Sequence, residues 1–227
     1  FASVDPDVID SEDYLKSAKH YFDCIVKPFS KHVLKAVNKV VELGLDFDTI
    51  LTSHGPILSK DPMAQVKRYV EWSTETVNTT NQDQVAVLYL SAYTNTKVMA
   101  EKIYEGIKST GEDATLYDIE NMDLAELHDV MVMSKGILFG SPTIVNELVE
   151  PVRDLMAKLN PVIHGGKIAG AFGSYGWSGE AVPRIESRLK ELRMKMPVEG
   201  LRIKFKPSEE EAQKAFDFGV EIGNALK

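Results

Sequence analysis

Between Tyr14 and Phe29 the apolar residues recur at Tyr14, Leu15, Ala18, Tyr21, Phe22, Ile25, Val26 and Phe29, steps of three and four that line one face of a helix. Pro28 has no backbone N–H to give and should kink or end that helix. A second stripe, Val33, Leu34, Val37, Val40 and Val41, predicts another helix with Gly44 as its C-terminal cap. The run Thr49 to Thr52 reads as a short buried strand that delivers Ser53 and His54 at its end. Asp61-Pro62 is a helix start, with Asp as N-cap and Pro at the first helical position, for a helix running to about Trp72. Residues 73–84, STETVNTTNQDQ, are polar without an apolar period and read as a linker. Two helices and a strand cannot bury these faces alone, so residues 1–72 are expected to be the tail end of a larger domain.

At Val85 the pattern changes. Short runs rich in β-formers now alternate with helical periods: VAVLYL, a helix from about Lys97, ATLYDI, a short helix near Leu124, GILFG, a helix over about 146–159, KIAGAFG, a helix over about 180–194, LRIKFK and a last helix from about Ser208. Five strands alternating with five helices, several of the strands apolar throughout, predict an α/β fold with a doubly wound parallel sheet over residues 85–227. Ligands of such sheets bind beyond the carboxyl ends of the strands, where the strand order reverses. A ligand is therefore expected at the loops after the first, third and fourth strands.

Composition narrows the choice further. A net charge of −8 without a basic stripe argues against a nucleic-acid surface. No apolar run is long enough to span a bilayer, and no charged stretch followed by an apolar segment opens the chain. The single cysteine, Cys24, excludes an intramolecular disulfide framework and CxxC chemistry; it points to a reducing cytoplasm and is expected to be a buried structural thiol. A first residue of Phe rather than Met is the expectation for a processed chain or a part of a longer one.

Three loops carry candidate chemistry. Ser91-Ala92-Tyr93-Thr94-Asn95-Thr96 opens directly into a helix, where hydroxyls, an amide and free backbone N–H groups suit a phosphate without a basic side chain. The loop matches neither GxGxxG nor GxxxxGK[ST], which weakens the case for NAD or ATP. Gly140-Ser141-Pro142-Thr143-Ile144-Val145-Asn146 makes a tight turn whose backbone could bond the edge of a planar ring. Gly173-Ser174-Tyr175-Gly176-Trp177-Ser178-Gly179 combines glycines that allow close approach with two aromatics that can pack on a flat π system. Any one of them alone is a plain turn or cap; together, at the strand ends where a ligand must sit, they predict a binding site.

On these residues, SAYTNT with GSPT and FGSYGWSG, the chain resembles the flavodoxin-like domain, specifically that of the flavodiiron proteins (A-type flavoproteins). The resemblance implies FMN, its phosphate in the loop Ser91, Ala92, Tyr93, Thr94, Asn95 and Thr96. Its ring would lie between Ser141, Pro142, Thr143, Ile144 and Asn146 on one side and Ser174, Tyr175, Gly176, Trp177 and Gly179 on the other. Four positions depart from the family's pattern: Thr94 where glycine is usual, Val145 where asparagine is frequent, Glu180 where a small residue is common, and Leu58 where tryptophan is frequent. In these proteins a metallo-β-lactamase-like αββα domain precedes the flavodoxin-like one and ends in a His-Gly-Pro-Ile stretch whose histidine binds a diiron site. SHGPIL resembles that stretch, which makes His54 an implied iron ligand and residues 1–72 the C-terminal piece of such a domain. Taken alone His54 would read as a core histidine. His20 and His32 match no family ligand, and His128 and His164 are expected at the surface. The opening FASVD resembles the segment after the bridging aspartate, so the remaining ligands are expected upstream of Phe1.

What the resemblance implies for function is FMN-mediated electron transfer within an oxidoreductase that reduces O2 to water or NO to N2O. The donors it implies are a rubredoxin, a reduced deazaflavin or an NADH-linked reductase, and the implied assembly is a head-to-tail homodimer. No side chain of residues 85–227 is needed as a catalytic acid or base. The rival readings are a stand-alone electron-carrier module without a working metal site, and an NAD(P)H:quinone reductase. The acidic balance disfavours an acidic donor protein unless a local basic patch exists. The one candidate patch, Arg202, Lys204 and Lys206, alternates along the last strand as outward-facing residues do and reads as a solvated edge rather than a docking site.

Overall fold

Val85, Val87 and Tyr89 turn to one side of a strand, and Ala86 and Leu88 to the other. All are buried, so this strand has a core on each face. In the computed structural model, which describes residues 11–79 and 83–227, it is the second of five parallel strands. They are β1 (Gln84–Tyr89), β2 (Asp113–Asp118), β3 (Gly136–Gly140), β6 (Ile168–Tyr175) and β7 (Leu201–Lys204), in the order β2-β1-β3-β6-β7. A two-residue hairpin of β4 (Thr143–Ile144) and β5 (Glu147–Leu148) stands apart from the sheet.

The chain forms two compact units, residues 1–81 and 82–227. In the second, helices α4 (Asn95–Ser109) and α9 (Glu209–Asn224) cover one face of the sheet. Met99, Ile103 and Ile107 meet Phe218 and Ile222 there, above Val87, Leu138 and Phe172. On the other face α5 (Leu124–Met133), α6 (Glu150–Ala157) and α8 (Ala181–Glu191) pack Leu127, Met131, Leu155, Ile185 and Leu189 over Leu88, Ile137 and Phe139. The strand order reverses between β1 and β3, whose adjacent carboxyl ends form the crevice of a doubly wound sheet. Where α4 crosses α9, a Cβ on Gly219 would stand 2.1 Å from the Ile103 carbonyl oxygen, so only glycine permits the approach.

Several expectations for this unit are corrected in detail. Residues 146–159 are not one helix, because the chain first makes the β4–β5 hairpin and α6 begins only at Glu150. The last strand stops at Lys204 and does not reach Lys206, since Phe205 takes φ +61° and leaves the extended region. His164, at the end of α7 (Pro161–His164), is not a surface residue but fully buried, and His128 is half-buried. Burial, helped by the nearby Lys167 ammonium, lowers the His164 pKa from 6.5 to about 4. The Lys167 ammonium donates to the carbonyls of Met131 (3.0 Å) and Val132 (2.6 Å) at the end of α5, and burial lowers its own pKa to about 8.

In the first unit Ser11 caps α1 (Glu12–Tyr21), accepting from the Tyr14 N–H at 3.1 Å. The path then widens into a π-helical turn over Phe22–Val26 and tightens into a 3-10 turn over Lys27–Phe29 before α2 (Ser30–Glu42). The break falls where Pro28 removes an N–H, and Gly44 follows α2 at φ +60°, as a C-terminal cap requires. Phe22, Tyr69 and Trp72 form an aromatic cluster with centroids 5.3 to 5.6 Å apart.

Three expectations fail in this unit. Helix α3 (Pro62–Thr79) does not end at Trp72: it continues through seven residues of the expected linker, and Gln84 at the linker's far end already belongs to β1. The buried face of α3 is polar there, with Ser73 and Thr76 inward, so no apolar period announces it. Thr49 to Thr52 is no strand; only Ile50 pairs, bridging Leu58, and Leu51 is exposed. Cys24 lies exposed on the π-helical turn and is not a core thiol. The segment Phe1 to Asp5, compared above with the stretch after a bridging aspartate, falls outside the described residues.

Two outcomes follow from this packing. Val145 and Asn146, at φ +53° and +57°, are the two central residues of the β4–β5 turn, and Val145 is 92% exposed. A β-branched residue is strained there and loses no packing on replacement, so Val145→Asn should raise stability by about 0.5–1 kcal/mol in urea unfolding. For His164 the unfolded chain takes up a proton below its ordinary pKa of 6.5, while the folded chain does so only near 4. Stability should therefore fall as pH drops from 6.5 to 4, by up to about 3 kcal/mol. His164→Gln should flatten that acid limb in equilibrium unfolding measured across the window.

Candidate functional site

The carboxyl ends of β1, β3 and β6 lie side by side, and each continues into one of the three loops that the sequence singles out. After β1 the chain stays in register for one more residue, with the Leu90 N–H donating to the Gly140 carbonyl at 3.1 Å. It then turns over Ser91 to Thr94 into α4. Thr94, at φ +63°, supplies no side-chain cap; its hydroxyl donates to the Tyr93 carbonyl at 2.6 Å. Ser91 Oγ accepts from the Lys97 N–H at 3.1 Å. The first N–H groups of α4 have no partner within the helix, and they sit at the positive end of its dipole. Ala92, Tyr93 and Thr94 around them are exposed, Ser91 and Asn95 half-buried.

Hydrogen bonds and close contacts hold the three loops together. Thr96, fully buried, shares a hydrogen bond of 2.9 Å with the Ser174 hydroxyl, which joins the first loop to the third. The Ser141 N–H donates to the Phe172 carbonyl at 3.1 Å, and the Ser141 hydroxyl donates to the Pro142 carbonyl and accepts from the Val149 N–H. A Cβ on Gly173 would stand 2.0 Å from the Ser141 carbonyl oxygen, so the second and third loops touch through backbone. Thr143 Oγ1 accepts from the Ala181 N–H at 3.2 Å, tying the hairpin to the start of α8. A hydrogen bond from the Ser178 hydroxyl holds the Glu180 carboxyl below its ordinary range.

Thr96, Ser141 and Ser174 thus spend their hydroxyls inside the protein and position the loops, while Pro142 is buried and Thr143 and Tyr175 are half-buried. The exposed members of the predicted set are Ala92, Tyr93 (80%), Thr94, Ile144, Asn146 and Trp177 (92%). Tyr175 packs on Gly179, whose φ of +76° turns the loop back toward α8. Sequence reasoning missed Phe205. Its N–H donates to the Tyr175 carbonyl at 2.8 Å and its ring lies against Gly176, so it backs the third loop from β7. Its left-handed backbone conformation had no sequence signal, because LRIKFK reads as unbroken alternation.

These residues fit FMN. The free N–H groups at the start of α4 match a phosphate dianion, the two exposed aromatic rings match a planar heterocycle, and the loops between them are already tied together. A diiron centre does not fit the described residues by themselves. His54 is exposed, 6.4 Å from the Tyr21 ring, on the rim of an apolar cleft of about 520 Å³ lined also by Tyr14, Val37, Leu58 and Tyr69. No group of three His, Cys, Asp or Glu that could hold a metal occurs among the described residues. None of their helices is long and apolar enough to cross a membrane.

Comparison with known proteins agrees with this geometry. The Flavodoxin family matches residues 87–219. A flavo-diiron protein of Clostridium acetobutylicum is 39% identical over 217 residues, 94% of this chain and 53% of that protein. The anaerobic nitric oxide reductase flavorubredoxin of Aliivibrio salmonicida is 31% identical over 97% of this chain and 44% of that protein. Among solved structures, the flavodiiron protein from Giardia intestinalis superposes with a TM-score of 0.66 at 28% identity, covering 100% of this chain and 55% of its own. The chain therefore spans about half the length of the relatives it matches. It belongs to the flavodoxin family and, across nearly its whole length, is a homologue of the flavo-diiron (type A) flavoproteins.

Proposed function

We propose that this chain binds FMN at the carboxyl edge of its sheet and relays electrons within an oxidoreductase that reduces O2 to water or NO to N2O. The observation that carries the reading is the junction of three loops, Ser91–Thr96, Ser141–Asn146 and Ser174–Gly179, beside the point where the strand order reverses. FMN, when bound, supplies the one- and two-electron chemistry. The chain's own residues hold and shield it. The N–H groups of 92–96 and the start of α4 receive the phosphate, Tyr93 and Trp177 flank the ring, and the Thr96–Ser174 and Ser141–Phe172 bonds keep the loops from opening.

His54 is proposed as one imidazole ligand of a metal site whose other ligands lie outside residues 11–79 and 83–227. Its support is the SHGPIL motif, together with a unit that leaves apolar residues in water: Val41, Leu43, Leu45 and Leu51 are all more than half exposed. That exposure fits residues 1–72 as a piece of a larger metallo-β-lactamase-like domain. The flavorubredoxin relative makes a rubredoxin the favoured kind of donor, ahead of a deazaflavin or an NADH-linked reductase. A reducing cytoplasm and a head-to-tail homodimer complete the proposal.

Absorbance bands near 375 and 450 nm (roughly, as for oxidised flavins generally) are expected once the purified chain is incubated with FMN and desalted; a colourless chain would defeat the reading. Trp177→Ala should weaken FMN binding by about tenfold in fluorescence titration, because an exposed ring is lost from the site without disturbing the core. His54→Ala in a protein that carries the remaining ligands should lower iron content and leave flavin content unchanged. Equal iron in both would refute the ligand assignment.

A further inference from the structure

The carboxyl edge of the sheet is electrically lopsided. At its β2 end stand Asp118, Glu120, Asp123 and Glu126, while at the opposite end Arg202, Lys204 and Lys206 are all exposed. Ile203 turns into the core under α9, so Arg202 and Lys204 share the other side of β7. None of the three cations makes an ion pair among the described residues; Lys204 instead lies 5.8 Å above the Phe205 ring. The glutamates that follow at the start of α9 are partly engaged. Glu210 pairs with Lys214 at 2.8 Å, and Glu211 closes the capping box with Ser208.

This basic end adjoins the candidate site directly. Lys204 is paired in register with Tyr175, the Phe205 N–H bonds the Tyr175 carbonyl, and the Phe205 ring (58% exposed) meets Gly176, the residue before the exposed Trp177. An isolated surface stripe of three cations is ordinary. Three cations flanking the exposed Phe205 along the chain, one of them over its ring, on a protein of net charge −8 and next to the loop that carries the exposed Trp177, are not.

We propose that Arg202, Lys204 and Lys206, with the rings of Phe205 and Trp177, form the docking surface for a small acidic electron-donor protein. The proposal rests on the electron-relay reading above. The cations steer the donor past the chain's overall negative charge, the acidic β2 end repels it, and the rings give it an apolar centre beside the cofactor loop. In each encounter the donor's reduced centre loses one electron and the FMN bound to this chain gains it.

The test uses zinc-substituted rubredoxin, an acidic protein that cannot exchange electrons, titrated into the isotope-labelled chain at low salt. Amide shifts are expected at residues 174–179 and 201–206, fading as ionic strength rises, with or without FMN bound. Arg202→Glu/Lys204→Glu/Lys206→Glu should weaken the binding by at least about tenfold. In the FMN-loaded chain it should slow reduction by iron rubredoxin equally and leave photochemical reduction by a neutral deazaflavin unchanged. Shifts elsewhere, or a charge-reversed chain that binds as well as the original, would overturn the proposal. So would shifts at these residues on concentrating the chain alone with none added by rubredoxin, which would assign the edge to a second copy. Failure to take up FMN would count against the function proposed above and leave the binding result standing.

Discussion

Parallel pairing of β1 with β2 on one side and β3 on the other is the constraint from which the rest of the second unit follows. Parallel strands must be joined by crossovers, and the crossovers here are helices that cover both faces of the sheet. Every strand then ends on the same edge. The connections leave β1 in one direction and β3 in the other, so a crevice opens at their ends, and the loops after β1, β3 and β6 meet around it. A single pair of helices, α4 and α9, closes one face through a crossing so tight that Gly219 has no room for a methyl group.

The two units differ in how much of them the sequence discloses. In residues 85–227 local pattern and tertiary burial agree: strands buried on both faces are continuously apolar, and helices show one apolar stripe. Where they part company, the reason is visible. The hairpin at 143–148 is too short to establish a period, and its turn places Val145 and Asn146 at positive φ without a glycine to announce it. Ser73 and Thr76 bury a polar face of α3, so a helix extends through a segment that composition marks as a linker. His164 is expected at the surface, yet the short helix α7 folds it inward, where Nδ1 lies 3.2 Å from the Asn160 amide nitrogen.

The candidate site was legible as loops but not as side-chain roles. Hydroxyl-rich turns after strands announce a polar pocket, yet the same hydroxyls can face a ligand or one another. Here Thr96, Ser141 and Ser174 satisfy each other and neighbouring backbone, and the surfaces offered outward are backbone N–H groups and the rings of Tyr93 and Trp177. That division of labour, buried hydroxyls fixing the loops and exposed groups left to bind, is what preorganisation requires. His54 is the opposite case: a motif whose chemistry depends on ligands from elsewhere.

The central claim is that the start of α4 holds a phosphate while the other two loops hold a ring. Calorimetric titration of the flavin-free chain with FMN and with riboflavin, which lacks only the phosphate, separates these parts. Binding of one FMN per chain at least about tenfold tighter than riboflavin is the expected result, since charged hydrogen bonds of this kind contribute on the order of 1.5–3 kcal/mol. Equal affinity for the two, or binding of neither, would contradict the account.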